Sequence, residues 1–229
     1  MTKKRWFAVL YMFVITFVFT SAVSALYLVN DQRIVLNKEV RLQRIILDTM
    51  DMRPEGETPN ERIREVFADR VAKLVREGKT AYFGYSEGGG DLVGIAFPLA
   101  GPGFWGPIWG MMGVEPDLST VIDIAFYEHG ETPGLGGRIS EEWFSDQFED
   151  EPLKKRDGQY FDFVSAGTSD EEGEVDAISG ATETSTRVER FMNKDIENML
   201  AWLEQVKQSG DIPEPTGEPA PVRPGVVKE

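Results

Sequence analysis

The period of hydrophobic and polar positions changes several times along this chain, and each change predicts a different element. Trp6 to Val29 is an uncharged run of 24 residues rich in Phe, Val, Leu, Tyr and Ala. At about 1.5 Å per residue it is long enough as a helix to cross a hydrocarbon core of about 30 Å. Beyond it Val40, Ile46, Leu47 and Met50 recur at helical spacing, so the helix is expected to continue until Pro54, Gly56 and Pro59 break it. Asn60 opens the stretch NERIREVFADRVAKLV, in which Ile63, Val66, Phe67, Val71, Leu74 and Val75 make one apolar stripe. That pattern predicts a surface helix through Val75.

Between Thr80 and His129 the pattern shortens to β-prone runs, AYFGYS, LVGIAFPLA, IWGMMGV and TVIDIAFYEH, separated by GGGD, GPGFWGP and EPDLS. A further β run is Tyr160 to Val164. Val188, Phe191, Met192, Ile196, Met199, Leu200, Leu203 and Val206 then mark a long amphipathic helix. The predicted class is α+β: one N-terminal transmembrane helix followed by a bent, largely antiparallel sheet packed with helices. The expected organisation is an anchor over 1–30, a membrane-proximal helix and linker over 31–59, the main domain over 60–208, and a tail over 209–229. That tail holds five prolines and few large apolar groups, which predicts an extended or disordered appendix.

Charge changes the picture at the N-terminus. Lys3-Lys4-Arg5 precede the apolar run, and Trp6 and Tyr27 fall near its ends. Basic residues on that side predict a single-pass protein with its N-terminus in the cytoplasm and its main domain on the extracytoplasmic side of the inner membrane. A cleaved signal peptide is the competing reading, because Val23-Ser24-Ala25 offers small residues at a cleavage point. The run exceeds an ordinary signal core, and its apolar pattern continues through Leu26-Tyr27-Leu28-Val29, which favours an anchor.

Composition narrows the chemistry. A formal charge of -15 without clustered Lys and Arg excludes a nucleic-acid surface. With no cysteine and a single histidine, His129, the chain cannot build disulfides, thiolate nucleophiles, iron–sulfur ligation or a multi-histidine metal site. Any redox chemistry must therefore come from a bound organic cofactor.

Three stretches could position such a group. Gly101 to Gly106, GPGFWG, satisfies G-x-G-x-x-G, but Pro102, Pro107 and the β-prone IWGMMGV leave no helix for a phosphate to sit on. A tight loop between strands is expected, either a plain turn or one that brings Trp105 to a ligand. The second stretch, HGETPGLGG from His129, has four glycines that could let backbone N–H groups converge on an oxygen-rich ligand or could form a flexible turn. His129 reads as a hydrogen-bonded structural residue, and Ser140 to Trp143 as the N-cap and first turn of a helix. In the third, Asp176 to Ser185, DAISGATETS, the small residues Ser179-Gly180-Ala181 leave the Thr182 hydroxyl reachable from outside. Thr186 and Glu189 form a T-x-x-E capping box that would start the long helix just downstream, near whose positive end a phosphate is stabilised. With no base beside it in sequence, Thr182 would need another enzyme to modify it.

D-x-x-S-G-A-T, ending at Thr182, resembles the flavinylation signature of the FMN-binding domain family, and ETPGLGG, Glu131 to Gly137, is similar to its second hallmark loop. The resemblance implies FMN held covalently by a phosphoester on Thr182, attached by a separate flavin transferase. It implies that Ser179, Gly180 and Ala181 shape the turn and that Asp176 belongs to the signature read during attachment. Glu131, Thr132, Gly134, Leu135 and Gly136 would line the flavin or its ribityl chain, with Trp105 packing near the ring. The implied role is an electron-relay subunit, working with the other subunits of a membrane complex that couples NADH oxidation and quinone reduction to Na+ export, with little activity of its own. An Rnf-type ferredoxin-dependent ion-translocating complex is the alternative, as is a non-enzymatic membrane-anchored binding domain.

Overall fold

The structure is a computed structural model that describes residues 2–54, 56 and 58–217. Contacts divide the chain into Met1–Arg41 and Leu42–Glu229. The first unit lies within helix α1 (Thr2–Asp48), which carries no break at Val23-Ser24-Ala25. Its span Trp6–Tyr27 has a mean hydropathy of 2.1, is wholly exposed, and is long and apolar enough to cross a membrane.

The second unit centres on a five-stranded meander in which every neighbour is antiparallel: β1 (Val71–Arg76), β2 (Lys79–Tyr85), β3 (Leu92–Pro102), β4 (Pro107–Val114) and β5 (Val121–Glu128). Register shifts at Gly84/Tyr85, Trp109/Gly110 and Gly113/Val114 mark irregularities of the kind that bend a sheet. The expected bent antiparallel sheet is therefore present. β1 is a correction, because helix α2 (Asn60–Arg70) stops at Arg70 and Val71–Arg76 is a strand, not the end of that helix. Glu77 and Gly78, both at positive φ, form a two-residue turn that pairs Arg76 with Lys79, and hairpin pairing overrides the local helical stripe.

Alternate residues serve opposite faces of the sheet. Phe83, Ile95, Phe97, Leu99, Met112 and Ile124 join the main core with Val188, Met192, Ile196 and Leu203 of helix α4 (Thr182–Ser209). All eight apolar positions of the predicted stripe on α4 are buried. On the other face Phe67 of α2 meets Tyr82 with ring centroids 6.3 Å apart, and the segment following α1 lies across the strands. There Gly84, Gly94 and Gly113 leave space for Met52, Met50 and Thr49: a Cβ on Gly113 would fall 1.6 Å from the Thr49 carbonyl oxygen.

Between β5 and α4 the chain makes two short 3-10 turns, Gly136–Ser140 and Asp146–Phe148, around helix α3 (Glu142–Ser145). Ser140 does not cap α3 as expected. Its hydroxyl donates to the Gly137 carbonyl inside the preceding turn, and Glu141 takes the N-cap position. The β run 160–164 becomes β6 (Asp162–Val164), paired in parallel with β7 (Glu174–Asp176). Buried Phe144, Phe148 and Phe161 stack edge-on beneath these loops at 5.6 and 5.1 Å, each worth about 1.5–3 kcal/mol of burial, and so fix loops that have little regular structure.

Of the tail, residues 210–217 form neither helix nor strand, and they meet the domain where Arg76 pairs with Asp211 at 2.8 Å and Tyr85 donates its hydroxyl to the Pro213 carbonyl at 2.7 Å. The rest of the expected disordered tail, 218–229, lies outside the described residues.

Candidate functional site

Helix α4 begins five residues earlier than its capping-box pattern predicts. Ala181 is its N-cap, Ser185 N–H donates to the Ala181 carbonyl at 3.0 Å, and Thr186 and Glu189 lie inside the helix. The turn before it is held instead by the Ser185 hydroxyl, which accepts from Ile178 N–H at 3.0 Å, and by Gly180 at φ 78°, a left-handed conformation that suits glycine. Thr182 is thus the first residue of a 28-residue helix, exposed, with the helix dipole's positive end beside its hydroxyl. Along the helix Thr182 and Thr186 share one exposed face at i, i+4, whereas Thr184 turns inward and is 3% exposed.

Thr182 opens onto a cleft of about 420 Å³ formed by Phe163 to Ala166, Ala177 to Gly180, Thr182, Ser185 and Thr186. Asp176 lies next to the lining residue Ala177, and its carboxylate accepts from Thr168 N–H and Ser169 N–H, both at 3.0 Å, while its own N–H donates to Gln147 Oε1 at 2.7 Å. Burial pulls this carboxyl upward, but the backbone donors of Ser169, Thr168 and Gly167 together outweigh it and hold it below the usual carboxylate range. The acid of the D-x-x-S-G-A-T segment thus pins the loop that follows the lining residues Ser165 and Ala166.

The second motif adjoins the first. A Cβ built on Gly180 would lie 3.5 Å from Leu135 Cδ2, and one on Gly136 would collide with Thr184 Oγ1 at 2.4 Å. The loop is closed by the Thr132 carbonyl, which accepts from Leu135 N–H at 3.1 Å and Gly137 N–H at 3.0 Å, leaving Thr132, Gly134 and Leu135 exposed. His129 has the structural role expected of it: Nδ1 accepts from Glu131 N–H at 3.3 Å, and Nε2 faces Ser140 Oγ at 3.4 Å.

GPGFWG is the turn joining β3 and β4, closed by Gly103 N–H on the Gly106 carbonyl at 2.7 Å, so the dinucleotide pattern has no helix behind it. Phe104 and Trp105 project from it, 48% and 68% exposed, with rings edge to face at 5.0 Å. Glu131 connects this turn to the other two stretches. It is 5% exposed, and its carboxylate accepts from Phe104 N–H at 2.8 Å, Trp105 N–H at 3.0 Å and the Thr184 hydroxyl at 2.6 Å. All three stretches singled out from sequence therefore meet.

Sequence reasoning missed Phe104, Thr184, Gln147 and the wall formed by Ser165 and Ala166. Only Phe104 carried a signal, as an aromatic inside the GPGFWG stretch, whereas Thr184 lies ahead of the helix start that the capping box predicts.

Larger clefts of about 630 Å³ exist elsewhere, and one of them gathers nine Asp and Glu residues around a single Arg70. Such a lining repels a phosphate. Asp123 at its floor has its carboxyl pushed up to about 6, first by burial and then by Glu149, Asp48 and Asp146, against the lowering bond from Ile124 N–H.

Residues 103–197, which hold the second and third stretches and all of the first but Gly101 and Pro102, match the FMN-binding domain family. More particularly, the chain is similar to NqrC, the C-type component of the Na(+)-translocating NADH-quinone reductase: 41% identical over 100 residues to that of Pasteurella multocida, covering 43% of this chain, and 34% identical over 159 residues to that of Neisseria meningitidis serogroup B, covering 68%. These alignments span 38% and 62% of the two relatives' own length. The fold is shared with the crystal structure of Shewanella oneidensis NqrC, at a TM-score of 0.60 and 24% identity over 69% of this chain and 91% of that one.

Proposed function

We propose that this chain is the membrane-anchored flavin subunit of a Na+-translocating NADH:quinone oxidoreductase, with FMN joined through its phosphate to Thr182. The observation that carries the reading is the exposed Thr182 hydroxyl, set at the start of a long helix and at the mouth of a cleft, inside the segment that matches the FMN-binding domain.

The residues suit the group. A cleft of about 420 Å³ falls within the ~300–1,000 Å³ of small-molecule sites. The helix N-terminus favours a phosphate, and the exposed side chains of Leu135, Phe104 and Trp105 offer apolar surface to a flat ring. Ser179, Gly180 and Ala181 keep the hydroxyl clear of side-chain bulk, and Asp176 pins the loop that follows Ser165 and Ala166 for the flavin transferase that completes attachment. When bound, FMN supplies the capacity to accept and release electrons singly. The protein contributes position, the exclusion of water from one side, and an anchor, α1, that keeps the domain beside its partner subunits in the inner membrane. Lys3-Lys4-Arg5 set the N-terminus in the cytoplasm and the flavin domain outside it.

Full-length protein coexpressed with a flavin transferase should carry one FMN on the peptide containing Thr182, read by mass spectrometry. Thr182→Ala should carry none, and Thr186→Ala, on the same exposed face, should remain loaded. FMN retained in Thr182→Ala overturns the attachment site. Co-purification with the subunits of a quinone reductase supports the assignment of the complex, and co-purification with a ferredoxin-dependent set excludes it.

A further inference from the structure

Glu131 belongs to the motif whose residues the sequence set against the flavin, yet its carboxylate is turned into the protein. Its two oxygens meet three donors and no acceptor: Phe104 N–H and Trp105 N–H on Oε1, and the Thr184 hydroxyl on Oε2. That pattern suits a group that only accepts. The seat is also cut to the size of a carboxylate. A Cβ on Gly103 would lie 2.6 Å from Oε1, and one on Gly136 would lie 2.8 Å from Oε2. Three segments far apart in sequence, the β3–β4 turn, the loop after β5 and the first turn of α4, thus share one buried carboxyl group.

We propose that Glu131 is the positioning residue of the flavin ring: it ties the exposed Phe104–Trp105 pair to the helix turn that bears Thr182. The tie fixes the separation between the point of attachment and the aromatic surface on which the ring rests. This rests on the flavin reading above, and the two can fail separately. A phosphoester on Thr182 secures only one end of a flexible molecule, and the bond itself gives the ring no orientation. Backbone donors from two successive residues on a single carboxylate oxygen make the turn carrying Phe104 and Trp105 move with Glu131. The Thr184 bond makes it move with α4. The tie lies in the accepting oxygens, and the burial of Glu131 limits the water that can compete for them.

The chemistry of the seat suggests how to separate the tie from the charge. In Glu131→Gln the remaining oxygen can still accept from Phe104 and Trp105, and the Thr184 hydroxyl, which both donates and accepts, can reverse to receive the amide N–H. Glu131→Ala leaves all three donors without this partner, the buried Thr184 hydroxyl among them.

The experiment uses full-length protein coexpressed with a flavin transferase, as wild type, Glu131→Gln, Glu131→Ala and Thr184→Val. Mass spectrometry reads attachment at Thr182, and the visible circular dichroism and fluorescence of the flavin read whether the ring is held. All four proteins are expected to carry FMN. Glu131→Ala should lose the induced dichroism and gain fluorescence towards that of free FMN, Thr184→Val should move part of the way, and Glu131→Gln should match wild type. Unchanged flavin spectra in Glu131→Ala, or a Gln variant as damaged as the Ala variant, overturn the proposal. Should Glu131→Ala fail to fold by far-ultraviolet dichroism, Thr184→Val decides, and unchanged flavin signals in it count against the tie. A wild type without FMN overturns the functional reading itself, and mass alone reveals that before any spectrum is taken.

Discussion

The glycines around Glu131 and the glycines beneath Thr49–Met52 are both sites of close approach, but they differ in what approaches. At Gly103 and Gly136 the neighbour is a carboxylate that draws loops together. At Gly84, Gly94 and Gly113 it is the segment following α1, laid flat on a sheet whose strands have no side chain to lift it away. The first set forms a recess that closes around a buried carboxyl group, and the second a seam that lets Met50 and Met52 bury against the strands. On the proposed flavin reading one region stands beside a bound group, and the other holds the chain's own backbone against its sheet. Function can therefore be lost at either region, with different signatures.

The seam should be the more fragile. Gly113→Ala brings a Cβ against a backbone oxygen that cannot rotate aside, and a loss of about 3 kcal/mol is expected, the upper part of the usual range for overpacking. Gly94→Ala meets side-chain atoms of Ile122 and Met50 at 3.0 and 3.2 Å, which can give way, so about 1 kcal/mol is expected there. Denaturant titration of the two variants checks the ordering, and equal losses would break the distinction between backbone and side-chain neighbours.

Asp123 adds a pH dependence to the same region. Its carboxyl is raised from 3.8 to about 6 in the folded protein, by burial first and then by Glu149, Asp48 and Asp146. The folded state therefore holds this proton more tightly than the unfolded chain. The stabilisation is complete below about pH 4 and is lost as pH rises through 6. Because the side chain is only partly covered, solvent screening reduces the effect to about 1 kcal/mol. Asp123→Asn should flatten the fall in stability between pH 4 and 6 and raise stability slightly at pH 7, measured by thermal unfolding across that range.

The recess offers the smallest effect on stability and the sharpest contrast. Trp105 is 68% exposed, so Trp105→Ala should change unfolding by no more than about 0.5 kcal/mol. The same substitution should raise the fluorescence of attached flavin by removing an aromatic neighbour. A large stability loss with unchanged fluorescence would assign Trp105 to the scaffold.

How far each region is legible in sequence follows from the same contrast. Motifs announce the recess because turns concentrate glycine and small residues within a few positions, and Thr182, Leu135 and Trp105 can be singled out one at a time. What joins them cannot be read: Glu131 looks like a ligand contact, and nothing local says that residues 27 and 53 positions away supply its donors. The seam gives no signal at all, since Gly84, Gly94 and Gly113 sit in three different strands and come together only through register. Strand β1 is misread for a related reason. Val71, Leu74 and Val75 satisfy a helical stripe, and only the pairing with β2 selects the extended form. The capping box at Thr186 and Glu189 is a true local pattern overruled by a turn that Ser185 stabilises from inside.

Three threonines stand within five residues at the start of α4, and in an unfolded chain their hydroxyls are chemically alike. Folding sequesters the middle one against Glu131 and leaves the outer two on the surface, of which Thr182 alone occupies the helix terminus. On the proposed flavin reading, the fold itself narrows the acceptors that a flavin transferase would meet to the two exposed ones, Thr182 and Thr186.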